Sequence, residues 1–240
     1  NNEIIHLLYI VIPTYNEEKN IHILIQKLLK KKFNNYQICI TIIDSNSTDN
    51  TQKIVNSFSN KNVLLITQKY KKGIGNAYKK AFKLLQKKDA YAIITMDADG
   101  QHDLQFINNA INLLSQENNY INASRFLPES KIKDNNYKRK NITVTLNSLL
   151  RLKSSKIKKM DITDISSGLQ CIRYDVFKQL DIDALPDGYE FQIDLKKQIA
   201  NLKNIKSTEI PIIFYARKND KSKNTYSIIQ KIKYVLHFLK

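Results

Sequence analysis

Four short apolar runs in the first half of this 240-residue chain constrain its fold more than any other feature of the sequence. The runs are rich in β-branched residues, and they comprise Leu7–Ile12, Ile38–Ile43, Val63–Ile66 and Tyr91–Met96. Near-continuous apolar runs of this length are typical of strands that are buried on both faces of a sheet. We therefore expect four buried strands in this half of the chain.

Amphipathic helical patterns lie between and after these runs. Apolar residues recur at intervals of three and four over Ile21–Leu29, Tyr78–Leu85 and Leu104–Leu114. Because strands that alternate with helices form βαβ units, the pattern predicts an α/β fold with a mostly parallel central sheet and helices on both faces. Glu209–Phe214 indicates one later strand. No linker or repeat divides the chain, so we expect one domain over residues 1–240.

Polar clusters follow three of the predicted strands, at the edge where ligands bind in parallel α/β sheets. The clusters are Pro13–Glu18, Asp44–Thr51 and Asp97–His102. An aspartate just before a helix is also a common N-cap, and capping explains Asp49 and Asp103 equally well. Capping does not explain Asp97 together with Asp99, so these two residues need another interpretation.

Asp97 and Asp99 stand two residues apart at the end of a buried run, so we expect their carboxylates to converge on one small volume. Two negative charges that close are unfavourable unless a cation lies between them. Carboxylate oxygens together with ligand phosphates suit Mg²⁺ or Mn²⁺. Gly100 allows the chain to turn, Gln101 offers a further oxygen, and we expect His102 to support the ligands rather than to bind the ion. The segment therefore predicts a divalent metal site.

The segment Lys71–Tyr78 contains two of the five glycines in the chain, Gly73 and Gly75, ahead of a predicted helix. Glycines in this position allow the backbone to approach a ligand closely, and the exposed amides at a helix start favour anions. The spacing matches neither a dinucleotide-binding fingerprint nor a Walker A loop. We expect an anionic ligand near these glycines.

Basic residues outnumber acidic ones by 39 to 22, which gives a formal net charge of +17. This charge favours an anionic partner, although a lysine-rich composition explains many individual lysines equally well. Basic residues concentrate in residues 131–159 and again from Arg217 onwards. A helix over residues 225–240, apolar on one side and basic on the other, suits a membrane surface, and an ordinary packed helix is an equal alternative.

Several classes of protein are disfavoured by the sequence. No apolar run is long enough to cross a bilayer. The first residues lack the basic region and cleavage site of a signal peptide, and the two cysteines are too few for a disulfide framework. No zinc-finger or RNA-recognition signature is present, and acidic clusters at the strand ends would repel phosphate without a metal. A nucleic-acid-binding module is therefore only a remote alternative, and we expect no nucleic-acid partner.

An ordered series of segments extends over nearly the whole chain. In chain order it comprises Val11–Glu17, Asp44–Thr51, Gly73–Tyr78, Met96–His102, Ser124–Phe126, Arg139–Lys140, Asp164–Gly168, Gly188–Gln192, Arg217 and Ser222–Lys223. The series resembles the family 2 glycosyltransferases, and within them the dolichyl-phosphate mannose synthase and polyprenyl-phosphate glycosyltransferase group. The ordered set is far more specific than any one of its members.

The resemblance implies a Rossmann-like, nucleotide-sugar-binding fold of the GT-A type, with roles for individual residues. The nucleotide pocket would be lined by Pro13, Tyr15, Glu17 and Asp44. The metal on the donor diphosphate would be held by Asp97, Asp99 and Gln101. The acceptor phosphate or the donor diphosphate would be approached by Arg125, Arg139, Thr143 and Arg217, with Asp99 and the three arginines in catalytic roles. Further substrate contacts are implied for Gly73, Gln192, Ser222 and Lys223.

The implied reaction is a metal-dependent transfer of a sugar, with inversion, to a dolichyl or polyprenyl monophosphate. Mannose from GDP-mannose is the favoured donor. A phosphate acceptor is already an anionic nucleophile, so it needs arginines to position it and does not need a general base. The expected location is cytoplasmic and peripheral at a membrane, either the cytosolic face of the endoplasmic reticulum or the inner leaflet of the plasma membrane. A membrane-anchoring subunit is compatible with this location.

Some residues depart from the usual pattern of the family. They are Ser45, where a second aspartate is frequent, Asp220, where glycine is usual, and Leu169–Gln170, where mannose synthases usually have Phe-Arg. These departures leave a UDP-sugar as the main alternative donor. A transferase that uses a glycan hydroxyl as acceptor is a further alternative, and it would need a base such as Asp164 or Asp194.

Overall fold

The computed structural model describes residues 6–33, 35–114, 117–133, 145, 147–149 and 155–216. Its strands are β1 (His6–Thr14), β2 (Tyr36–Asp44), β3 (Val63–Thr67), β4 (Ala92–Thr95), β5 (Tyr120–Ser124), β6 (Lys131–Lys133), β7 (Gln170–Arg173), β8 (Ser207–Pro211) and β9 (Ile213–Tyr215). Seven of them form one sheet in the order β3-β2-β1-β4-β7-β5-β8, and β6 pairs with β9 in a separate two-stranded sheet.

The four predicted strands of the first half are present as β1 to β4, and they pair in parallel. The predicted burial of β3 is wrong, because β3 is the edge strand of the sheet and none of its residues is buried. The second half of the sheet is mixed, because β7 runs antiparallel to both of its neighbours, β4 and β5. The edge strand β8 is parallel to β5. Apolar runs indicate buried strands but not their direction. The antiparallel direction of β7 was therefore not predicted from the sequence.

Helices cover both faces of the large sheet, as the sequence predicted. They are α1 (Ile21–Lys30), α2 (Thr51–Asn56), α3 (Ile74–Leu85), α4 (Gln105–Leu114), α5 (Ser155–Lys159), α6 (Tyr174–Phe177) and α7 (Phe191–Asn201). Alternate residues of β1 divide between two apolar clusters: Leu8 and Ile10 pack with α1 and α4, whereas Tyr9 and Val11 pack with α3 and α7. Successive side chains of a strand point to opposite faces, so a strand covered on both faces must be apolar throughout.

The prediction of one strand over Glu209–Phe214 is wrong, because the chain changes sheets within it. β8 ends at Pro211, which has no N–H to continue a ladder. Ile212 then donates its N–H to the Ser124 carbonyl (3.1 Å) and accepts from the Lys131 N–H (3.1 Å). This residue passes the chain from the large sheet to β9, which pairs with β6.

Two predictions concern residues that lie outside the described part of the chain. The terminal helix of residues 225–240 is one, and much of the two basic regions is the other. Among the described residues, no helix combines the length and the apolar character that crossing a bilayer requires. A single domain over residues 1–240 stays a prediction.

Candidate active site

The carboxyl ends of β1, β2 and β4 meet at one edge of the sheet, and the polar clusters follow them there. Thr14 is paired with Asp44 across β1 and β2, and Val11 is paired with Thr95 across β1 and β4. Because these strands are parallel and in register, the segments that begin after Thr14, Asp44 and Thr95 lie side by side. The structure therefore brings together the three clusters that the sequence singled out.

Asp44 anchors this edge from inside the protein. Its carboxylate is fully buried and accepts hydrogen bonds from Thr14 Oγ1 (2.9 Å), the Ser47 N–H (2.8 Å), Ser47 Oγ (2.5 Å) and Gln52 Nε2 (2.6 Å). Four donors satisfy a carboxylate, so Asp44 holds β1, β2 and α2 together and faces the protein rather than an open pocket. Its predicted contact with a nucleotide stays a prediction.

The loops after β1 and β2 interlock through further hydrogen bonds. The Asn16 N–H donates to Ser47 Oγ (2.8 Å), and the Glu17 N–H donates to Thr51 Oγ1 (2.8 Å). Asn16 has a φ of 54°, in the left-handed region that asparagine tolerates. These bonds fix the segment that carries Pro13, Tyr15 and Glu17, which we predicted to line a nucleotide pocket.

Asp49 and Asp103 each bind the first N–H of the helix that follows, although the N-cap of α2 is Asn50 and Asp49 lies one residue before it. Asp49 Oδ1 accepts from the N–H of Thr51, the first residue of α2 (2.9 Å). Asp103 Oδ1 accepts from the N–H of Gln105, the first residue of α4 (2.9 Å). Both carboxylates thus satisfy an N–H that has no partner within its own helix.

A basic side chain lies over the tyrosine of the first loop. Lys71 Nζ is 3.6 Å from the centre of the Tyr15 ring, within the range of a cation–π interaction. Lys71 belongs to the loop that follows β3, and it places positive charge at the same edge of the sheet as the acidic clusters.

Gly73, at the N-cap of α3, and Gly75, in its first turn, approach another part of the backbone, which corrects the reason given for these glycines. A Cβ on Gly75 would lie 2.3 Å from the Pro186 carbonyl oxygen, and a Cβ on Gly73 would lie 2.3 Å from the Asp187 carbonyl oxygen. Gly73 also has a φ of 111°, which other residues rarely adopt. Close packing against residues 186–188 thus accounts for both glycines, and contact of Gly73 with a ligand stays a prediction.

Asp97 and Asp99 lie in the loop that follows β4. The Asp97 N–H donates to His102 Nδ1 (3.1 Å), and His102 Nε2 is 3.5 Å from Asp97 Oδ2. Asp99 Oδ1 accepts from the Gln101 N–H (3.1 Å). His102 therefore supports Asp97 from within the same loop, as expected from the sequence.

Gln101 connects the acidic loop, residues 96–104 between β4 and α4, to β9. Its buried Nε2 donates to the Tyr215 carbonyl (2.9 Å), and the Tyr215 N–H donates to the Gln101 carbonyl (3.0 Å). A side-chain amide donates through nitrogen and accepts or coordinates through oxygen, so this bond is compatible with the predicted metal role of Gln101. That role stays a prediction.

The two acids fit a divalent cation that takes its other ligands from phosphate and water. A Cβ on Gly168 would lie 3.4 and 3.5 Å from the two carboxylate oxygens of Asp97, so the glycine keeps the space beside that carboxylate clear. Within the described ranges, no three His, Cys, Asp or Glu side chains converge as a metal site. Mg²⁺ is commonly bound by one or two carboxylates with substrate phosphates and water, which matches this donor set.

Arg125 is bound to a buried carboxylate. Its Nε and Nη2 donate to the two oxygens of Asp164 (2.7 and 2.8 Å), and Nη2 also donates to Ser166 Oγ (2.8 Å). Burial alone would raise the pKa of Asp164, but the Arg125 guanidinium outweighs it and holds that pKa below its ordinary value. Asp164 is thus an ionised anchor for Arg125, whose predicted contact with a phosphate stays a prediction.

Sequence reasoning missed two charged residues near this pair. Lys196 is buried, and Glu209 is partly buried. Lys196 Nζ donates to the Ser167 carbonyl (2.8 Å), and the Glu209 carboxylate accepts from the Thr163 and Asp164 N–H groups (2.8 and 3.1 Å). A signal for Lys196 was present, because this lysine adjoins the apolar face of α7 and lies one turn after Gln192.

Five predicted site residues lie outside the described part of the chain. They are Arg139, Thr143, Arg217, Ser222 and Lys223. Gln192, by contrast, lies at the acidic loop, because its Nε2 is 3.7 Å from the same Gly168 Cβ position that adjoins Asp97.

Residues 9–181 match the family model described as Glycosyl transferase family 2, and this stretch includes β1 to β4 and the acidic loop. The chain belongs to glycosyl transferase family 2. The matched stretch contains Asp97 and Asp99, called the acid pair below. It also contains Asp44 and the Arg125–Asp164 salt bridge. The chain is therefore a glycosyltransferase, as the ordered series of segments indicated.

Relatives and solved structures extend the likeness to almost the whole chain. The polyprenol monophosphomannose synthase of Mycolicibacterium smegmatis is 26% identical over 226 residues, covering 92% of this chain and 82% of the relative. The undecaprenyl-phosphate mannosyltransferase of Micrococcus luteus is 26% identical over 222 residues, covering 91% and 88%. The fold resembles glucosyl-3-phosphoglycerate synthase from Mycobacterium tuberculosis, solved with Mn²⁺, UDP-glucose and phosphoglyceric acid (TM-score 0.65, 13% identity, 98% of this chain and 77% of that one). This family 2 glycosyltransferase thus has a GT-A fold.

Proposed function

We propose that this glycosyltransferase transfers mannose from GDP-mannose, with inversion, to the phosphate of a dolichyl or polyprenyl lipid. The observation that carries the proposal is the likeness, over about nine-tenths of the chain, to relatives named polyprenol monophosphomannose synthase and undecaprenyl-phosphate mannosyltransferase. We place the reaction at the cytoplasmic surface of a membrane, the endoplasmic reticulum or the plasma membrane, because the acceptor is a lipid. A membrane-anchoring subunit would fit the same location.

The acid pair supports binding of the donor diphosphate. In this proposal Asp97 and Asp99, with Gln101, hold Mg²⁺ or Mn²⁺, and His102 keeps Asp97 in place. The bound ion would neutralise the charge of the nucleoside diphosphate as it leaves. The Gly168 backbone beside Asp97 leaves room for that ion and its phosphate ligands.

The two carboxylates considered as general bases for a glycan hydroxyl are poorly suited to that role. Asp164 is fully buried, its pKa is lowered, and Arg125 occupies both of its oxygens. Asp194 pairs with Lys197 (3.3 Å), and it lies about 200° around α7 from Gln192, which faces the acidic loop. A phosphate acceptor, which needs no base, agrees with this arrangement.

The acceptor side of the proposal depends on residues outside the described part of the chain. Arg139, Thr143 and Arg217 would position the lipid phosphate, with Ser222 and Lys223 close by in sequence to Arg217. Tyr215, two residues before Arg217, is bonded to Gln101 through both its N–H and its carbonyl. This link holds the described chain beside the acidic loop as far as Tyr215.

A transfer assay tests the proposal. The full chain is incubated with Mn²⁺, a panel of labelled GDP-mannose and UDP-glucose, and either polyprenyl phosphate in detergent or a free glycan. We expect labelled lipid from GDP-mannose only, and loss of at least about a hundredfold of the rate in Asp99→Ala, since a stabilising charge at the leaving group is removed. Asp103→Asn, which alters only the cap of α4, is the matched control.

Each other outcome of this assay rejects a named part of the proposal. Transfer from UDP-glucose would replace the donor, and transfer to the glycan alone would replace the acceptor. Full activity in purified Asp99→Ala would remove the acid pair from the reaction.

A further inference from the structure

A chain of three buried polar side chains runs from the middle of the sheet to the acidic loop. The Tyr120 hydroxyl donates to Gln170 Oε1 (2.7 Å), and Gln170 Nε2 donates to Gln192 Oε1 (2.6 Å). Tyr120 and Gln170 are 0% exposed, and Gln192 is 8% exposed. Buried polar groups are costly unless they are hydrogen-bonded, so this chain fixes its members in one arrangement.

The direction of the chain is set at its Tyr120 end. Asn122 Nδ2 donates to the Asp164 carbonyl (2.9 Å) and to Glu209 Oε1 (2.8 Å), so the Asn122 amide turns its oxygen to the Tyr120 hydroxyl, 3.4 Å away. The single hydroxyl proton of Tyr120 goes to the nearer acceptor, Gln170 Oε1. A side-chain amide has one accepting end and one donating end, so Gln170 must present nitrogen to Gln192. Gln192 then accepts through oxygen and keeps its own nitrogen at the far end.

The far end of Gln192 lies at the acidic loop. The Cβ position of Gly168 is 3.7 Å from Gln192 Nε2 and 3.4–3.5 Å from the two oxygens of Asp97. Thr95 Oγ1 donates to the Gly168 carbonyl (2.7 Å), which holds this glycine at the end of β4. The amino group of Gln192 and the Asp97 carboxylate therefore adjoin the same small space.

A tyrosine hydroxyl at the same place lacks a partner. Among the described residues, Tyr78 Oη is a buried side-chain atom with no hydrogen bond, and the Tyr78 ring stacks on Phe191 (5.1 Å, 10°), which precedes Gln192. Burial raises the pKa of Tyr78, the negative charge of Asp97 raises it further, and the Gln192 amide lowers it. The Tyr78 hydroxyl thus lies beside the Gln192 amide and the Asp97 carboxylate, where an oxygen of a bound ligand would complete its hydrogen bonding.

We propose that Tyr120 and Gln170 are positioning residues, which turn the Gln192 amide so that its NH₂ donates to an oxygen of the glycosyl diphosphate bound at the acid pair. That oxygen belongs either to a hexose hydroxyl or to a phosphate. The inference rests on the proposed function, because it takes the donor to be held at Asp97 and Asp99. It adds that recognition at Gln192 is controlled by two residues that do not touch the donor.

The first test removes one hydroxyl from the interior. Tyr120→Phe keeps the ring and frees the Gln170 and Gln192 amides to turn, so the KM for the nucleotide sugar should rise about threefold to tenfold, the loss of roughly one hydrogen bond. The KM for the lipid phosphate should not change. Tyr174→Phe is the matched control, since the Tyr174 hydroxyl lies against the Lys88 and Leu85 carbonyls, away from the acidic loop. This control should lose stability but keep the donor KM.

The second test asks whether Tyr120 acts through Gln170. Gln170→Met breaks the chain with little change of volume, and the double variant Tyr120→Phe, Gln170→Met should have the same donor KM as Gln170→Met alone. Independent effects of the two substitutions on the donor KM would add instead. Circular dichroism and thermal unfolding of each variant establish that it is folded.

Isothermal titration calorimetry distinguishes a hexose hydroxyl from a phosphate oxygen as the group that Gln192 recognises. If a hexose hydroxyl is bound, Tyr120→Phe weakens the nucleotide sugar but not the nucleoside diphosphate, and if a phosphate oxygen is bound, it weakens both. Unchanged affinity for both in folded Tyr120→Phe, or additive effects in the double variant, would overturn the inference. A wild-type chain that binds nucleotide sugar but does not use lipid phosphate would reject the proposed function and leave this inference standing.

Discussion

Lys196 is a lysine enclosed in the protein interior, where the charged form of its side chain is disfavoured. It is 0% exposed, and burial lowers its pKa from 10.5 to about 7, although Asp164 and Glu209 partly offset that effect and Arg125 adds to it. Its Nζ donates to the Ser167 carbonyl (2.8 Å), one residue before the glycine beside Asp97. Lys196 thus holds the segment that joins the Arg125–Asp164 salt bridge to the acidic loop.

The lowered pKa of Lys196 predicts how stability depends on pH. Between pH 7 and 10.5 the unfolded chain retains the Lys196 proton that the folded chain has released, so the free energy of unfolding rises with pH. The stability gained from releasing this proton is complete above 10.5, the pKa of Lys196 in the unfolded chain. It is lost as pH falls through about 7, the pKa in the folded chain. Relative to Lys196→Met, the wild type should gain up to about 1.4 kcal/mol per pH unit across this window.

Urea unfolding of both chains at several values between neutral and mildly alkaline pH measures that difference. A constant gap between the two free energies of unfolding would show that Lys196 keeps an ordinary pKa. Lys196→Gln, which is neutral but still able to donate to Ser167, should follow the same pH course as Lys196→Met.

At the scale of elements, the start of α3 is packed directly on the loop of residues 186–188. Gly75→Ala would place a Cβ 2.3 Å from the Pro186 carbonyl oxygen, and the neighbouring backbone has to move. We expect the free energy of unfolding to fall by about 1–3 kcal/mol, as for other overpacked sites. Chemical denaturation without ligands measures this change. Normal stability combined with weakened nucleotide binding would instead make the glycine a ligand contact.

Elements were predictable where the evidence is local in sequence. The runs that became β1, β2 and β4 are largely apolar because helices cover both faces of the sheet there, and Asp97 and Asp99 lie in one loop because they are two residues apart. Contacts between distant segments were not predictable in this way. The Arg125–Asp164 salt bridge spans 39 positions, and the Gly75 packing depends on a loop that the sequence pattern does not place.

The whole molecule is strongly basic, while its acidic clusters gather at one edge of the sheet. A net charge of +17 attracts the chain to anionic surfaces, and salt screens that attraction. We expect the full chain to sediment with vesicles that contain anionic phospholipid at about 0.05 M salt and to be released at about 0.5 M. Neutral vesicles are the control. Equal binding to both kinds of vesicle would assign the attachment to apolar contacts.

The central claim is that the two acids after β4 hold a divalent ion together with a nucleoside diphosphate. Titration of Mn²⁺ into the chain with GDP present, followed by electron paramagnetic resonance of the free ion, measures it directly. We predict uptake of one ion per chain in the wild type and loss of that uptake in both Asp97→Asn and Asp99→Asn, with the fold intact. Equal uptake by all three proteins, or none by the wild type, would contradict the claim.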